Sequence, residues 1–204
     1  MDPNTFPTKG NLILAKNSLA LAKQGYELMD KKRNILIKEL MDLIEQAKDI
    51  QSEIDITFSE AYKALQRANI KMGIHNVEEI CFTIPVDDDI VIKSRSIMGT
   101  EIPLVEYRKP EDSLPYSLHG TSAALDIAYK HFEKVKQLTI RLSMVENSAI
   151  RLATSIKKTQ KRANALQNIT IPRYTELVTS ITNALEEKER EEFTRLKVIK
   201  KTHG

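Results

Sequence analysis

The 204-residue sequence has no tryptophan, one cysteine, and six glycines that all stand singly. Each shortage excludes something. With aromatic residues at only 5%, there is little material for a thick globular core. A lone Cys81 cannot form an internal disulfide and fits a reducing compartment. Isolated glycines leave no GxxxxGKS/T or GxGxxG loop, so the chain itself is not expected to bind nucleotide. No apolar run approaches the roughly 18 residues of a membrane-crossing helix. The opening MDPNTFPTKG has no basic region leading into an apolar stretch, so no signal peptide is expected and the location is read as cytoplasmic. His75, His119, His131 and His203 are scattered, without metal-ligand spacing to a carboxylate or to Cys81. No base stands beside Cys81 to activate it. Asp87, Asp88 and Asp89 read as a solvated turn. No catalytic residue, cofactor or metal site is expected.

What the sequence does have is a long repeat. Positions 12, 15, 19, 22, 26, 29, 33, 36, 40, 43, 47, 50, 54, 57, 61, 64 and 68 alternate steps of three and four without a slip, and only Arg33 and Thr57 among them are strongly polar. That is a heptad seam with both core positions filled. A strict seven-residue period predicts a left-handed supercoil with a partner helix. Thr8 is one candidate cap for this helix, and Gly73 a candidate stop. Residues 1–73 are thus read as a long N-terminal helix.

Residues 74–118 change character, punctuated by Pro85, Gly99, Pro103, Pro110 and Pro115. Two β-rich runs, 90–97 and 102–107, read as a hairpin, with Pro103 restricted to an edge or a non-bonded position. A second long helix is expected over 119–204. Its stripe includes Leu138, Leu142, Val145, Ala149, Leu152, Ile156, Thr159, Ala163 and Leu166, preceded by Ala128, Phe132 and Val135 with one extra three-residue step. Ile169, Thr170 and Ile171 ahead of Pro172 disfavour smooth helix, so a kink or short break is expected near 168–172. Tyr174, Leu177, Ile181 and Leu185 then continue the stripe, followed by Phe193, Leu196 and Ile199. The fold class is mainly α: a long antiparallel two-helix left-handed coiled coil with a small β-hairpin in the excursion between the helices.

Charge is unevenly placed. Residues 1–38 carry seven Lys/Arg against three Asp/Glu, residues 151–204 twelve against six, and the middle twelve against nineteen. Folding the helices back on each other gathers the positive segments at one end, a matter of partners and steering rather than of fold. Lys31-Lys32-Arg33 and Lys157-Lys158 with Lys161-Arg162 suit phosphate contacts, but no aromatics are interleaved for base stacking. Three readings stay open on the residues alone: a mechanical shaft, a free-standing coiled-coil adaptor or tether, and a nucleic-acid-binding rod.

Two stretches carry a family likeness. Pro7-Thr8-Lys9 leads through Leu12 and Leu19 to Gly25-Tyr26-Glu27-Leu28-Met29-Asp30-Lys31-Lys32-Arg33. Later come Lys161-Arg162-Ala163-Asn164-Ala165-Leu166, then Ile171-Pro172, then the run from Leu185-Glu186-Glu187 through Glu189-Arg190 to Arg195-Leu196-Lys197. In order and spacing these resemble the D subunit of V-type and A-type rotary ATPases, the central rotor shaft. The resemblance implies a non-catalytic component whose paired termini enter a catalytic ring built of A and B subunits. The small F subunit of the stalk would bind along it, and the hairpin end would point to a membrane-rotor adaptor. Rotation would couple ATP hydrolysis or synthesis to ion transport. The chain would be peripheral, meeting the membrane only through the complex, with no direct nucleotide and no nucleic acid. Lys9, Arg33, Arg190, Arg195 and Lys197 are then the expected partner-contact residues, with Lys9, Arg190, Arg195 and Lys197 in or near a basic bearing with few large apolar anchors.

Overall fold

The computed structural model describes residues 6–85, 90–107 and 115–202. In order the elements are α1 (Lys9–Met72), α2 (Ile74–Thr83), β1 (Ile90–Ile97), β2 (Thr100–Tyr107), α3 (Ala123–Ala165), a π-helical turn (Leu166–Thr170) and α4 (Ile171–Thr202). They fall into two compact units, residues 1–35 with 156–204, and residues 36–155. The described chain is mainly helical, with one two-stranded antiparallel sheet.

Helix α1 starts where Thr8 Oγ1 accepts the backbone N–H of Asn11 at 3.2 Å, a side-chain cap three residues upstream. It ends at Gly73, whose φ of 83° suits glycine and whose N–H bonds Asn69 C=O at 2.9 Å. Between the ends, every one of the seventeen seam positions is buried or half-buried, and no α1 residue outside the seam is buried. The heptad reading therefore names the packed face of this helix residue by residue. Thr57 is tolerated there because its hydroxyl donates to Glu53 C=O at 2.7 Å; Ser148 does the same to Met144 C=O.

In the first unit, Lys9 meets Glu189, and Gly25 faces Leu166. Arg33 meets Gln160. Numbers rise on α1 as they fall on the other strand of helix, so the pairing is antiparallel. The one charged seam residue, Arg33, is held in a polar bracket. Its Nη1 donates to Gln160 Oε1 at 2.8 Å, Asp30 pairs with the guanidinium, and Asn34 Oδ1 accepts at 3.2 Å. Gln160 in turn donates to Asn164. Gly25 lies against Leu166, the first residue of the π turn.

Of the kink or short break expected near 168–172, no break occurs. The backbone stays helical and widens by one π turn, in which Ile171 N–H reaches Leu166 C=O. The reason is phase. Half-buried Leu166, Thr170 and Tyr174 are spaced four and four. In an α-helix those eight residues overshoot two turns by about 80°. A π turn absorbs the extra residue, so Leu177 and Ile181 return to the packed face, with Ile181 only 2% exposed. It also offsets the three-and-three step at Val135 and Leu138, both buried. Pro172, without an N–H, sits just past the turn, where its missing bond does least harm.

The second unit is also antiparallel within itself. Lys134 lies 3.2 Å from Glu53, and Phe132 packs edge-on against Tyr62. Ile50 and Ile54 form one cluster with Leu138 and Val145. A second cluster joins Ala68, Val77, Tyr116, Ala124 and Leu125. It includes α2, a helix within the stretch that the sequence marks only as an irregular excursion; Ile74, Val77 and Ile80 carry its spacing. Helix α3 begins at Ala123 rather than near 119, after Gly120 takes a φ of 78°.

The hairpin turns on two residues, Met98 and Gly99, with φ of 49° and 74°, so β2 starts at Thr100 rather than 102. Both central residues at positive φ mark a turn of the I′ kind, which matches strand twist. The closing pair Ile97–Thr100 is hydrogen-bonded, so pairs alternate outward from it. Glu101, Pro103, Val105 and Tyr107 therefore direct their backbone polar groups away from β1. Pro103 has no N–H to waste there, in keeping with the non-bonded position a proline needs. Arg151 donates to Glu101 C=O at 3.3 Å and Val105 N–H donates to Met144 Sδ at 3.3 Å. The Thr100 hydroxyl donates to Ser155 at 2.7 Å and that of Tyr107 to Glu133 at 2.9 Å. Helix α3 thus covers the outer edge of β2.

Met98→Asn, relieving a left-handed non-glycine, is expected to stabilise the hairpin by about 0.5–1 kcal/mol, read as slower amide exchange across the β1–β2 ladder. Deleting Asn168 together with Pro172→Ala should close the π turn into α-helix and leave a cooperative thermal melt by circular dichroism. Deleting Ile150 instead should cost roughly 3 kcal/mol or more, because everything beyond it rotates off the packed face. Tyr116 is pushed well above the ordinary tyrosine value by burial and by the hydrogen bond it donates to Asp126 at 2.8 Å. The folded form holds that proton longer than the unfolded one. This contribution is complete below pH 10, the ordinary value, and is lost as pH rises above it. Tyr116→Phe should flatten the alkaline fall in melting temperature.

Candidate partner-binding surface

Chemistry on the described residues is sparse. No group of three His, Cys, Asp or Glu side chains is placed to hold a metal ion among them. Cys81 is free and exposed. Asp87–Asp89 and His203 lie outside the described residues. No described helix is long and apolar enough to cross a membrane.

The surface that stands out is the end of α4. Helix α1 begins at Lys9, whose Nζ lies 3.2 Å from Glu189. From Arg190 to Thr202 α4 runs on as thirteen residues, all exposed, roughly 20 Å of helix. The stripe continues here in sequence but not in packing: Phe193 is 69% exposed and Leu196 65%, with Val198 and Ile199 open as well. The seam stops being buried because there is no α1 left to cover it among the described residues. The sequence predicts a basic end with few large apolar anchors; in the structure this end carries four.

Charge is sorted along the same stretch. Glu186, Glu187, Glu189, Glu191 and Glu192 come first, and Arg195, Lys197, Lys200 and Lys201 follow without an acid between them. Arg190 lies 3.7 Å from Glu186, and Arg195 3.9 Å from Glu191. Both are exposed pairs one turn apart, of the weak kind that a partner exchanges easily. Lys9, Arg190, Arg195 and Lys197 are therefore gathered in one region of the first unit. Arg33 stands apart, its guanidinium taken up inside the chain by Gln160, Asp30 and Asn34.

A second row lies on α1 that the seam pattern does not pick out. Leu14, Leu21 and Leu28 are each 60% or more exposed, and Ile35 is 40% exposed. They recur every seventh residue on a face of α1 outside the seam. The signal in the sequence is a second heptad position, masked by the stronger seam beside it. Isolated surface aliphatics are ordinary, but here four fall in a row on one helix face.

Known proteins with this arrangement give it a context. The family model described as the D subunit of ATP synthase matches residues 11–201. The V-type ATP synthase D subunit from Thermotoga neapolitana is 46% identical over 194 residues, covering 95% of this chain and 96% of that protein. The A-type ATP synthase D subunit from Pyrococcus furiosus is 38% identical over 198 residues, covering 95% and 92%. That of Methanosphaera stadtmanae is 36% identical over 198 residues, covering 96% and 92%. With the hairpin and all but the terminal residues of the long helices inside the matched span, the chain belongs to the family of ATP synthase D subunits.

Proposed function

We propose that this protein is the non-catalytic central-stalk component of a V/A-type ATPase. It transmits rotation between a ring of catalytic subunits and an ion-conducting membrane ring, coupling ATP hydrolysis or synthesis to ion transport. One observation carries the reading beyond the family match: the exposed, apolar and basic end of α4. An isolated adaptor has no reason to leave Phe193, Leu196 and Ile199 bare. A shaft whose tip is enclosed by other subunits does.

The physical demands on such a part agree with the fold. Torque needs stiffness, and paired helices with an unbroken packed face supply it. Reading out angle needs asymmetry about the axis; the π turn opposite Gly25 and the bracket at Arg33 make the two helices unlike each other. The A and B subunits of the catalytic ring are the proposed surroundings of Lys9, Arg190, Arg195 and Lys197. The small F subunit of the stalk and a membrane-rotor adaptor are the other proposed partners, and the membrane is reached only through them. In this reading the chemistry stays in the ring.

The test is sustained ATPase turnover of a purified V/A-type catalytic ring with and without this protein, co-purified with its small partner. Binding at one copy per ring with altered sustained turnover supports the shaft; no binding and unchanged turnover would return the chain to an adaptor role. Within that assay, combined Arg190→Glu, Arg195→Glu and Lys197→Glu should weaken assembly about tenfold at low salt, with a smaller deficit at high salt. Phe193→Ala with Leu196→Ala should weaken it by about 1–3 kcal/mol at any salt.

A further inference from the structure

The hairpin has two edges, and the chain treats them differently. Beyond β2, helix α3 covers the edge, Arg151 and Met144 bond its backbone, and Pro103 removes a donor. Beyond β1 there is no such cover among the described residues, where β1 pairs with β2 alone. By the alternation set at Ile97–Thr100, the residues whose N–H and C=O face outward from β1 are Ile90, Ile92, Ser94 and Ser96.

Proteins usually blunt such an edge with a proline, a bulge, an outward charge or a short strand. Strand β1 has two charges, Lys93 and Arg95, both at positions bonded to β2, and none of the other devices. It is eight residues long, its register with β2 is unbroken from Ile90 to Ile97, and its outward-bonding positions are uncharged. Every residue from Ile90 to Ser96 is exposed, Ile92 at 71%. An edge of this kind fits one occupant geometry, an extended polypeptide segment, because only another strand satisfies alternate N–H and C=O groups along a line.

Charge narrows the occupant further. Strand β1 carries Lys93 and Arg95 and no acid. Lys93 is engaged by Glu106 on β2, at 2.7 Å. Arg95 makes no ion pair among the described residues. A second copy of β1 laid antiparallel would set these positive residues near their own counterparts, which is unfavourable. A segment with an acid near Arg95 and β-branched residues beside Ile90 and Ile92 would complement the outer side, much as Glu106 meets Lys93 and Val105 lies opposite Ile92 on the inner.

We propose that the outer edge of β1 is a strand-addition site for an extended, acidic, β-branched segment of a partner protein. The site goes beyond the stalk reading and does not depend on it, since it rests on the hairpin alone.

The experiment uses the full chain and a synthetic eight-residue peptide alternating valine with threonine and glutamate, followed by amide hydrogen exchange resolved by residue. Added peptide should slow exchange roughly tenfold at the outward amides of Ile90, Ile92, Ser94 and Ser96, leaving Val91, Lys93, Arg95 and Ile97 unchanged because β2 already holds them. A peptide N-methylated at alternate residues should give no protection. Arg95→Glu should weaken the peptide roughly threefold and reverse its preference over a lysine-substituted version. Ile92→Pro removes one outward donor while sparing the β1–β2 ladder, and should abolish protection; its own fold is checked by intact exchange at Lys93 and Arg95. Absence of protection at millimolar peptide, or indifference to Arg95→Glu, would overturn the proposal. So would protection of the same amides that grows with protein concentration alone, which would make the occupant a second copy.

Discussion

Everything in this protein leans on one constraint: a helix held by side chains meeting a neighbour every three or four residues must keep that spacing in phase with its own turn. Helix α1 obeys it for its full length. Small residues set the approach in places, such as Ala15, Ala22, Ala61, Ala64 and Ala68, and larger ones fill elsewhere, as with fully buried Leu36 and Leu152. Alanine at a contact lets backbones come close, while leucine props them apart.

The second helical strand does not obey the spacing as strictly, and its departures explain its irregular features. A three-and-three step before Leu138 leaves the stripe one residue short, and the four-and-four step at Leu166–Tyr174 restores it. The π turn is the structural form of that correction. Its position opposite Gly25, where an added Cβ would meet Leu166 Cδ1 at 3.7 Å, shows a glycine standing where an alanine also fits. Arg33 is the other local departure. A guanidinium in a packed seam costs desolvation unless its donors are met, and here Gln160, Asp30 and Asn34 meet them. A charged residue with a specific partner also discriminates against slipped registers.

Where the constraint ends, function begins. Once α1 stops, the stripe on α4 has nothing among the described residues to lie against, and the same residue pattern that makes core elsewhere is left exposed. The hairpin repeats the logic in β form. Strand β2 is bonded on both edges; among the described residues β1 is bonded on one edge only. In each case what the chain leaves unsatisfied is of the same kind as what it satisfies next door.

The seam of α1, the hairpin and a second long helix, though not its start, are legible from residue order because each rests on local periodicity, which needs no knowledge of the partner. The family likeness is legible because Lys161–Leu166, Ile171-Pro172 and Leu185–Lys197 combine composition with spacing. Tertiary structure alone decided four things. It made the 168–172 irregularity a π turn, since phase is defined only against an opposite helix. It placed α2 inside a core, since ten residues with Val77 inward are ambiguous until Tyr116 and Leu125 arrive. It turned Phe193, Leu196 and Ile199 outward, since burial depends on where the other helix begins. And it chose which edge of the hairpin stays open, since a strand pattern is blind to which side Arg151 and Met144 approach from.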